Sequence, residues 1–349
     1  LRLTAYGLRL TAYGLRLTAY GLRLTTKKIM TYYDVFNGDA DGILSLVQLR
    51  QVQPRDSILI TGVKRDIDLL KQVPLDGLHK TITVLDVSME KNKAALQAQL
   101  TDGADVFYAD HHRSGDIPQH INLNANIDLD ANICTALIVD KLLNGAKHDW
   151  AIAAAYGDNL ISVGDKFAKA ANMSDTQAEQ LKELGTLVNY NGYGESLSDL
   201  HFEPADLYNK LVQYPSPFDC INEQHSPFHL LKNAYQTDLN KAQTAVVVND
   251  DDTLLALELE DAPWARRISG VYGNQLANQN PDKAILILTQ NTDSSYRVSL
   301  RAPINNKQGA GDVCSQFETG GGRAAAAGIN NLQIVQLNEL IEMVKQYYK

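Results

Sequence analysis

The sequence predicts an α/β protein with an N-terminal parallel-sheet domain flanked by helices, a linker, and a smaller α/β C-terminal domain. Three observations carry that prediction. The chain has 349 residues, 44% of them hydrophobic, enough for two cores of ordinary size. From residue 31 to 110 short β-rich runs alternate with helical stretches, the pattern of a parallel sheet covered on both faces. Around 190–230 Gly192, Gly194, Pro204, Pro215 and Pro217 punctuate a stretch rich in Tyr, Asn and His, after which a second set of strands begins.

The first 29 residues stand apart. LRLTAYG occurs at 1–7, 8–14 and 15–21, followed by LRLT at 22–25. Each copy carries a Gly and its leucines sit two apart, which is not coiled-coil spacing, and the apolar run of a signal peptide is missing. We read residues 1–29 as an artificial appended repeat, with the native sequence starting near Met30. The first domain is then expected over 30–190, with strands at 32–36, 57–61, 81–85 and 105–108 and helices at 43–51, 67–73 and 90–100. From 133 to about 189 the reading is mostly helical. Residues 191–242 are expected to be the linker region, with a helix near 230–242 leading out of it. The second domain, 243–349, should hold strands at 245–248, 253–257, 284–289 and 296–301 and helices at 264–276, 312–317 and 337–347.

Charge narrows the partners. The chain is formally −9, but residues 1–29 contribute six cations and no acid, so the remainder carries −15. A protein that coats long nucleic acid needs phosphate-neutralising cations in excess, so that class is excluded. Apolar runs such as 150–156 are too short to cross a bilayer. Cys134, Cys220 and Cys314 show no CxxC spacing, which excludes a disulfide framework and suits a reducing cytoplasm.

The chemistry concentrates at strand ends. Strand one runs into Asn37-Gly-Asp39-Ala-Asp41-Gly42, strand three into Asp86-Val-Ser88, and strand four into Asp110-His111-His112. In an open parallel sheet these ends converge on one crevice. Alone, DxDG reads as a turn, a His pair as partly exposed structure, and Asp86 as a helix cap. Together they place four carboxylates and two imidazoles in one small volume, where they would repel one another unless divalent cations intervene. The mixed oxygen–nitrogen set suits Mn²⁺ or Mg²⁺ better than a closed zinc site. Two such ions about 3.5–4 Å apart would bind a phosphate oxygen and activate a bridging water.

The motifs NGDADG (37–42), LDVS (85–88), ADHH (109–112), YGDN (156–159), VSLRA (298–302) and GGGRAAAAG (320–328) together resemble the DHH phosphoesterase superfamily, in the branch with a DHH-associated C-terminal domain. The resemblance covers nearly the whole chain after Met30 and is loose only in the linker. It implies that Asp39 and Asp86 hold a first metal, and that Asp41, Asp86, His111 and Asp158 hold a second. It implies that Asp110 orients His111 and that His112 reaches the scissile phosphate as a donor. Arg301, Gly320, Gly321, Gly322 and Arg323 would bind substrate, the glycines by offering N–H groups at a helix N-terminus and AAAAG by packing that helix closely. Many members carry a His four residues before the first Asp, where this chain has Val35; RecJ-like nucleases carry an Asp two residues before, where it has Asn37; and Arg323 stands where a His is usual.

The expected activity is a Mn²⁺-dependent phosphodiesterase acting on linear dinucleotides such as pGpG, or on very short RNA, with two divalent cations and no membrane or long nucleic-acid partner. The competing readings are a pAp-type phosphatase, a cyclic-dinucleotide phosphodiesterase and a non-catalytic nucleotide sensor; a pyrophosphatase is disfavoured by the glycine-rich C-terminal sequence. Tyr190, Tyr193, Tyr208 and Tyr214 are candidates for stacking a base but fit interdomain packing better, and Arg266 and Arg267 fit an exposed helix face as well as a substrate site.

Overall fold

The computed structural model describes residues 30–349; the heptapeptide repeat and the reading of it as appended sequence lie outside the described residues. The first sheet has strands β1 (Thr31–Phe36), β2 (Ile58–Ile60), β3 (Lys80–Leu85), β4 (Asp105–Asp110) and β5 (Leu123–Ile127). All pairings are parallel and the order is β2-β1-β3-β4-β5. The chain therefore leaves β1 to one side for β2 and returns to the other side for β3, so the strand order reverses between β1 and β3. The crevice at such a reversal is where ligands bind in open α/β sheets. Register brings the strand ends level: Phe36 lies opposite Leu85, and Leu85 opposite Ala109. The acidic segments that follow each of them start side by side.

Alternation along the strands feeds two cores. Phe36, Leu85 and Ala109 face a helical layer built from α1 (Ala40–Val52), α3 (Thr135–Leu142), α4 (His148–Gly157) and α6 (Asp175–Gly192). Val35, Val84, Val106 and Tyr108 face the opposite side, under α2 (Lys93–Thr101) and a short 3-10 turn at Leu69–Gln72. That turn replaces the helix expected over 67–73. Strand β5 was not foreseen, because Asn124 and Asn126 interrupt its apolar pattern. Helix α5 (Ile161–Ala170) packs on α4.

The stretch expected as a linker is helical. Helices α7 (Pro204–Leu211), α8 (Pro217–Asn222) and α9 (Pro227–Ala242) each begin on a proline. Proline at the first helical position gives up an N–H that has no partner there anyway, so Pro204 and Pro217, read as breakers, are helix starts. Leu207, Leu211, Ile221, Phe228 and Leu231 from these helices join the first-domain core, and Tyr208 packs on Phe36 with ring centroids 5.8 Å apart. Tyr190 is buried too, with its hydroxyl donated to Asp238 at 2.5 Å. Neither ring is open to a base.

The second sheet runs β10-β11-β9-β8-β7-β6, antiparallel except between β7 and β8. Its strands are β6 (Val246–Asp250), β7 (Leu254–Leu259), β8 (Ala284–Gln290), β9 (Tyr296–Arg301), β10 (Gly320–Gly322) and β11 (Ala326–Leu332). Helix α10 (Pro263–Gln279) covers one face; α11 (Ala310–Cys314) and α12 (Leu337–Tyr348) cover the other. The helix expected after the glycine triplet is absent. Gly320–Gly322 and Ala326–Leu332 are instead paired strands, and β11 lies so close to β9 that a Cβ at Gly328 would sit 2.6 Å from the Val298 carbonyl oxygen. Alanine favours helix in isolation, but pairing along β9 decides here. No described helix is long and apolar enough to cross a membrane.

Candidate active site

Each acid is delivered by a specific local device. Asp39 caps α1, its Oδ1 accepting the N–H groups of Asp41 and Gly42 at 3.1 Å each. Asp41, in the first turn of α1, receives the N–H groups of Thr135 and Ala136 at 2.7 Å each. These two belong to the N-terminus of α3, where free donors and the helix dipole favour an anion. Asp86 directly follows β3 in a left-handed conformation, φ +57°, uncommon for a residue other than glycine and concentrated at functional sites. Its Oδ1 accepts from Thr135 Oγ1 at 3.1 Å. Asp158 directly follows α4.

These groups meet. His111 Nε2 lies 3.4 Å from Asp86 Oδ1, 3.7 Å from Asp41 Oδ2 and 4.0 Å from Asp158 Oδ2. Asp86, His111 and His112 each bring a ligand atom within 4.8 Å of the others. Asp110 does not orient His111 as the resemblance implied. Its Oδ1 lies 2.7 Å from His112 Nδ1, while His111 Nδ1 is 2.8 Å from the Ile133 carbonyl. A carbonyl only accepts, so His111 carries its proton on Nδ1 and turns the Nε2 lone pair toward the carboxylates. The sequence places Asp110 beside both rings; only the loop leading to Ile133 decides which one it holds.

Electrostatics divides the acids. Burial pushes the Asp86 carboxyl well up, and the charges of Asp41 and Asp39 add to the effect. Burial also raises Asp41, against His111. For Asp39 burial acts upward but is outweighed by the neighbouring Lys64 ammonium, so this carboxyl is held low. Burial is likewise outweighed at Asp158, by Arg323, His111 and Lys64. Burial disfavours a charged His112, yet its Asp110 hydrogen bond and the Asp86 charge prevail and raise its pKa. A buried carboxyl that resists ionisation among other carboxylates is what a divalent cation relieves. The Asn37 side-chain oxygen lines the same cleft, buried and without a hydrogen-bond partner, as a hard-cation ligand would be. The residues therefore fit a divalent metal.

The second domain closes the cleft. The Arg323 guanidinium, carried on the turn between β10 and β11, lies 3.2 Å from Asp158 Oδ1 and 3.2 Å from His111 Nε2. Arg301 behaves otherwise: it is buried and gives its donors to Asn274, Ser299, Leu300, Gly270 and Tyr193, which leaves it bracing the domains from inside. Gly321 and Gly322 are exposed on β10, with open space beside Gly321. The sequence reading missed Thr135 and Lys64. Thr135 had only its place before an apolar helix as a signal. Lys64 had its place in the loop after β2, beside the reversal in strand order.

Comparison with known proteins agrees with this geometry. Residues 251–349 match the DHHA1 domain model. No curated sequence matches the chain. Among solved structures, a DHH domain described as a member of an s1p family of ribosomal proteins is similar over 91% of this chain and 86% of its own, at 13% identity and TM-score 0.59. RecJ from Thermus thermophilus, in complex with Mn²⁺, is similar over 96% of this chain and 54% of its own, at 16% identity and TM-score 0.55. A pGpG-specific phosphodiesterase, PggH, from Vibrio cholerae is similar over 91% of this chain and 99% of its own, at 15% identity and TM-score 0.51. Residues 251–349 are thus a DHHA1 domain, and the chain shares the fold of solved DHH-domain structures. The first sheet supplies acids and imidazoles, and the DHHA1 domain supplies the cation that faces them.

Proposed function

We propose that the chain is a metal-dependent phosphodiesterase that hydrolyses linear dinucleotides such as pGpG, or very short oligoribonucleotides, to mononucleotides. The observation that carries this reading is the approach of Arg323 to within 3.2 Å of Asp158 and His111, so that both domains share one narrow cleft. That cleft, about 90 Å³, admits a few water-sized groups. It suits a single phosphate with its two esters, the nucleosides lying outside. The net −15 beyond the repeat argues against a track for long strands. The likeness to a pGpG-specific phosphodiesterase along almost the whole of both chains supports the substrate class.

Asp39, Asp41, Asp86, His111 and Asp158 are the residues that would hold divalent cations, Mn²⁺ in preference to Mg²⁺. A cation bound there supplies Lewis acidity and lowers the pKa of water. The chain's own residues do the rest. Arg323 pairs with a non-bridging phosphate oxygen, and its charge is retained at any working pH. His112, oriented by its Asp110 hydrogen bond, donates to the leaving oxygen. A sensor reading draws on Lys64 and Arg323, which already balance Asp39 and Asp158.

Incubation with Mn²⁺ and a panel of pGpG, other linear dinucleotides, cyclic dinucleotides, pAp, pyrophosphate and a single-stranded 20-mer separates these readings. Mononucleotides are expected from linear dinucleotides alone, with turnover abolished in Asp86→Ala. Comparable cleavage of the 20-mer overturns the short-substrate assignment, and binding without turnover favours the sensor.

A further inference from the structure

A sheet edge presents a row of unpaired backbone groups, and most of the edges in this fold are blunted. Strands β2 and β10 are three residues long, and β6 carries a bulge between Val247 and Asn249. The edge at β5 has no such device. Its residues, Leu123–Ile127, bear no charge, no proline and no bulge, and no strand among the described residues pairs with its outer side. The backbone groups that face outward follow from the ladder to β4. Val106 N–H donates to the Asn122 carbonyl at 2.8 Å, and Asp128 N–H to the Asp110 carbonyl at 3.2 Å. Even-numbered residues therefore turn toward β4, and alternation turns Leu123, Ala125 and Ile127 away from it. The Leu123 N–H is taken by the His120 carbonyl at 3.1 Å, which leaves the Leu123 carbonyl and both groups of Ala125 and Ile127 free on the edge.

The side chains around this edge are self-complementary. Residues 120–130, HINLNANIDLD, run through the same alternation of apolar and polar groups from either end toward Ala125. An antiparallel pairing about that residue matches Leu123 with Ile127 and Asn124 with Asn126, and it brings only outward-facing residues into hydrogen-bonded pairs. The two Ala125 residues exchange both their bonds, and each Ile127 N–H reaches a Leu123 carbonyl. Leu123, Ala125 and Ile127 already pack on the core beneath α2, so the apolar face continues across the junction. The flanks agree. Ile121 is 98% exposed and Leu129 60% exposed, and they stand four residues either side of Ala125. His120 and Asp130 stand five either side. His120 Nδ1 accepts the Asn122 N–H at 3.2 Å, so the ring proton lies on Nε2, a donor suited to a carboxylate.

We propose that β5 is an interface with a second copy of this chain, paired antiparallel about a twofold axis at Ala125, so that the two five-stranded sheets join into one. Ile121 of each copy is covered by Leu129 of the other, and His120 meets Asp130. The twofold axis turns one sheet end for end, so the clefts at the carboxyl ends of the strands open in opposite directions and each is built by its own chain.

Sedimentation equilibrium of the full chain tests this. The unaltered protein is expected at twice the chain mass. Ala125→Pro and Ile121→Asp are expected at one chain mass, with thermal melting to verify that each is folded. Proline at 125 removes an N–H that points away from β4, so it spares the sheet within the chain while blocking the partner. A single chain mass for the unaltered protein at every soluble concentration overturns the proposal, whether the edge is then bare or taken by residues 1–29. A dimer that survives in both folded variants overturns it too, because another surface then holds it. Cross-linking decides the register, and decides alone if both variants unfold. A hydrogen-bonded antiparallel pair has its Cα atoms about 5.5 Å apart, within the span of a disulfide. With diamide as the oxidant, Ala125→Cys is expected to form a covalent dimer. Leu129→Cys is not, since its copies lie about 26 Å apart along the paired strands. The native Cys134, Cys220 and Cys314 are buried and do not compete. Failure of Ala125→Cys to cross-link, or equal cross-linking at 129, overturns the pairing.

Discussion

At the scale of single residues, the pairing of Asp110 with His112 assigns work that the motif alone leaves open. DHH presents one acid and two rings in succession, and a β-strand end offers no preference between them. The Ile133 carbonyl takes His111, which frees Asp110 for His112 at 2.7 Å. Asp110→Asn should therefore leave the bound-ion count unchanged while lowering kcat by about 10²-fold, the usual loss when a proton donor is mispositioned. Equilibrium dialysis and steady-state kinetics on a linear dinucleotide check both halves of that statement. The acids themselves were legible because Asp and His at three consecutive strand ends have few other reasons to gather. Lys64 was not, since a lone lysine in a loop looks like any solvated surface charge.

At the scale of elements, Asp158 owes its position to a crossing of two helices. Gly185 on α6 lies against α4 so closely that a Cβ there would sit 1.9 Å from the Ala153 carbonyl oxygen and 2.8 Å from the Gly157 N. Gly157 is the residue before Asp158, so the close approach and the position of this proposed ligand are one feature. Gly185→Ala should force the helices apart and cost about 1–3 kcal/mol, the range for overpacking a filled interior. Chemical denaturation measures the loss, and weaker Mn²⁺ binding should accompany it because Asp158 moves with α4. Elements also show where sequence patterns mislead. Prolines at 204, 217 and 227 begin helices, and an alanine run at 324–327 enters a strand. In both cases a partner supplied by the fold outweighs the local preference.

At the scale of the whole molecule, fixed contacts rather than a loose linker set the cleft. Arg266 on α10 donates to Asp199 at 2.9 and 3.0 Å. Arg267 reaches Asp238 at 2.9 Å and the Asp199 carbonyl at 2.6 Å. Left open by the sequence between an exposed helix face and a substrate site, these arginines instead tie the second domain to the helices of the first. Tyr193 adds a wedge, its ring filling the space where a Cβ on Gly270 would be 1.9 Å away. Asp199→Ala should let DHHA1 drift from the metal-ligand side. KM for a linear dinucleotide is expected to rise about tenfold, equivalent to about 1.4 kcal/mol of binding. kcat and the ion count should stay near those of the unaltered chain, since Asp199 touches neither the acids nor His112.

The α/β class, the parallel sheet, most strand positions and the gathering of Asp39, Asp41, Asp86, His111 and His112 at one sheet edge were determined by the sequence itself. Periodicity and strand-end chemistry are local, and short windows of residues carry them. The tertiary structure decided the rest. It turned residues 191–242 from a linker into core helices, turned the glycine triplet from a helix start into a strand edge, and buried Arg301 while bringing Arg323 to Asp158. It also set Lys64 on Asp39, 25 residues away in the chain. Charge pairing and close packing join residues distant in sequence, and their outcome depends on which partner the fold brings within reach.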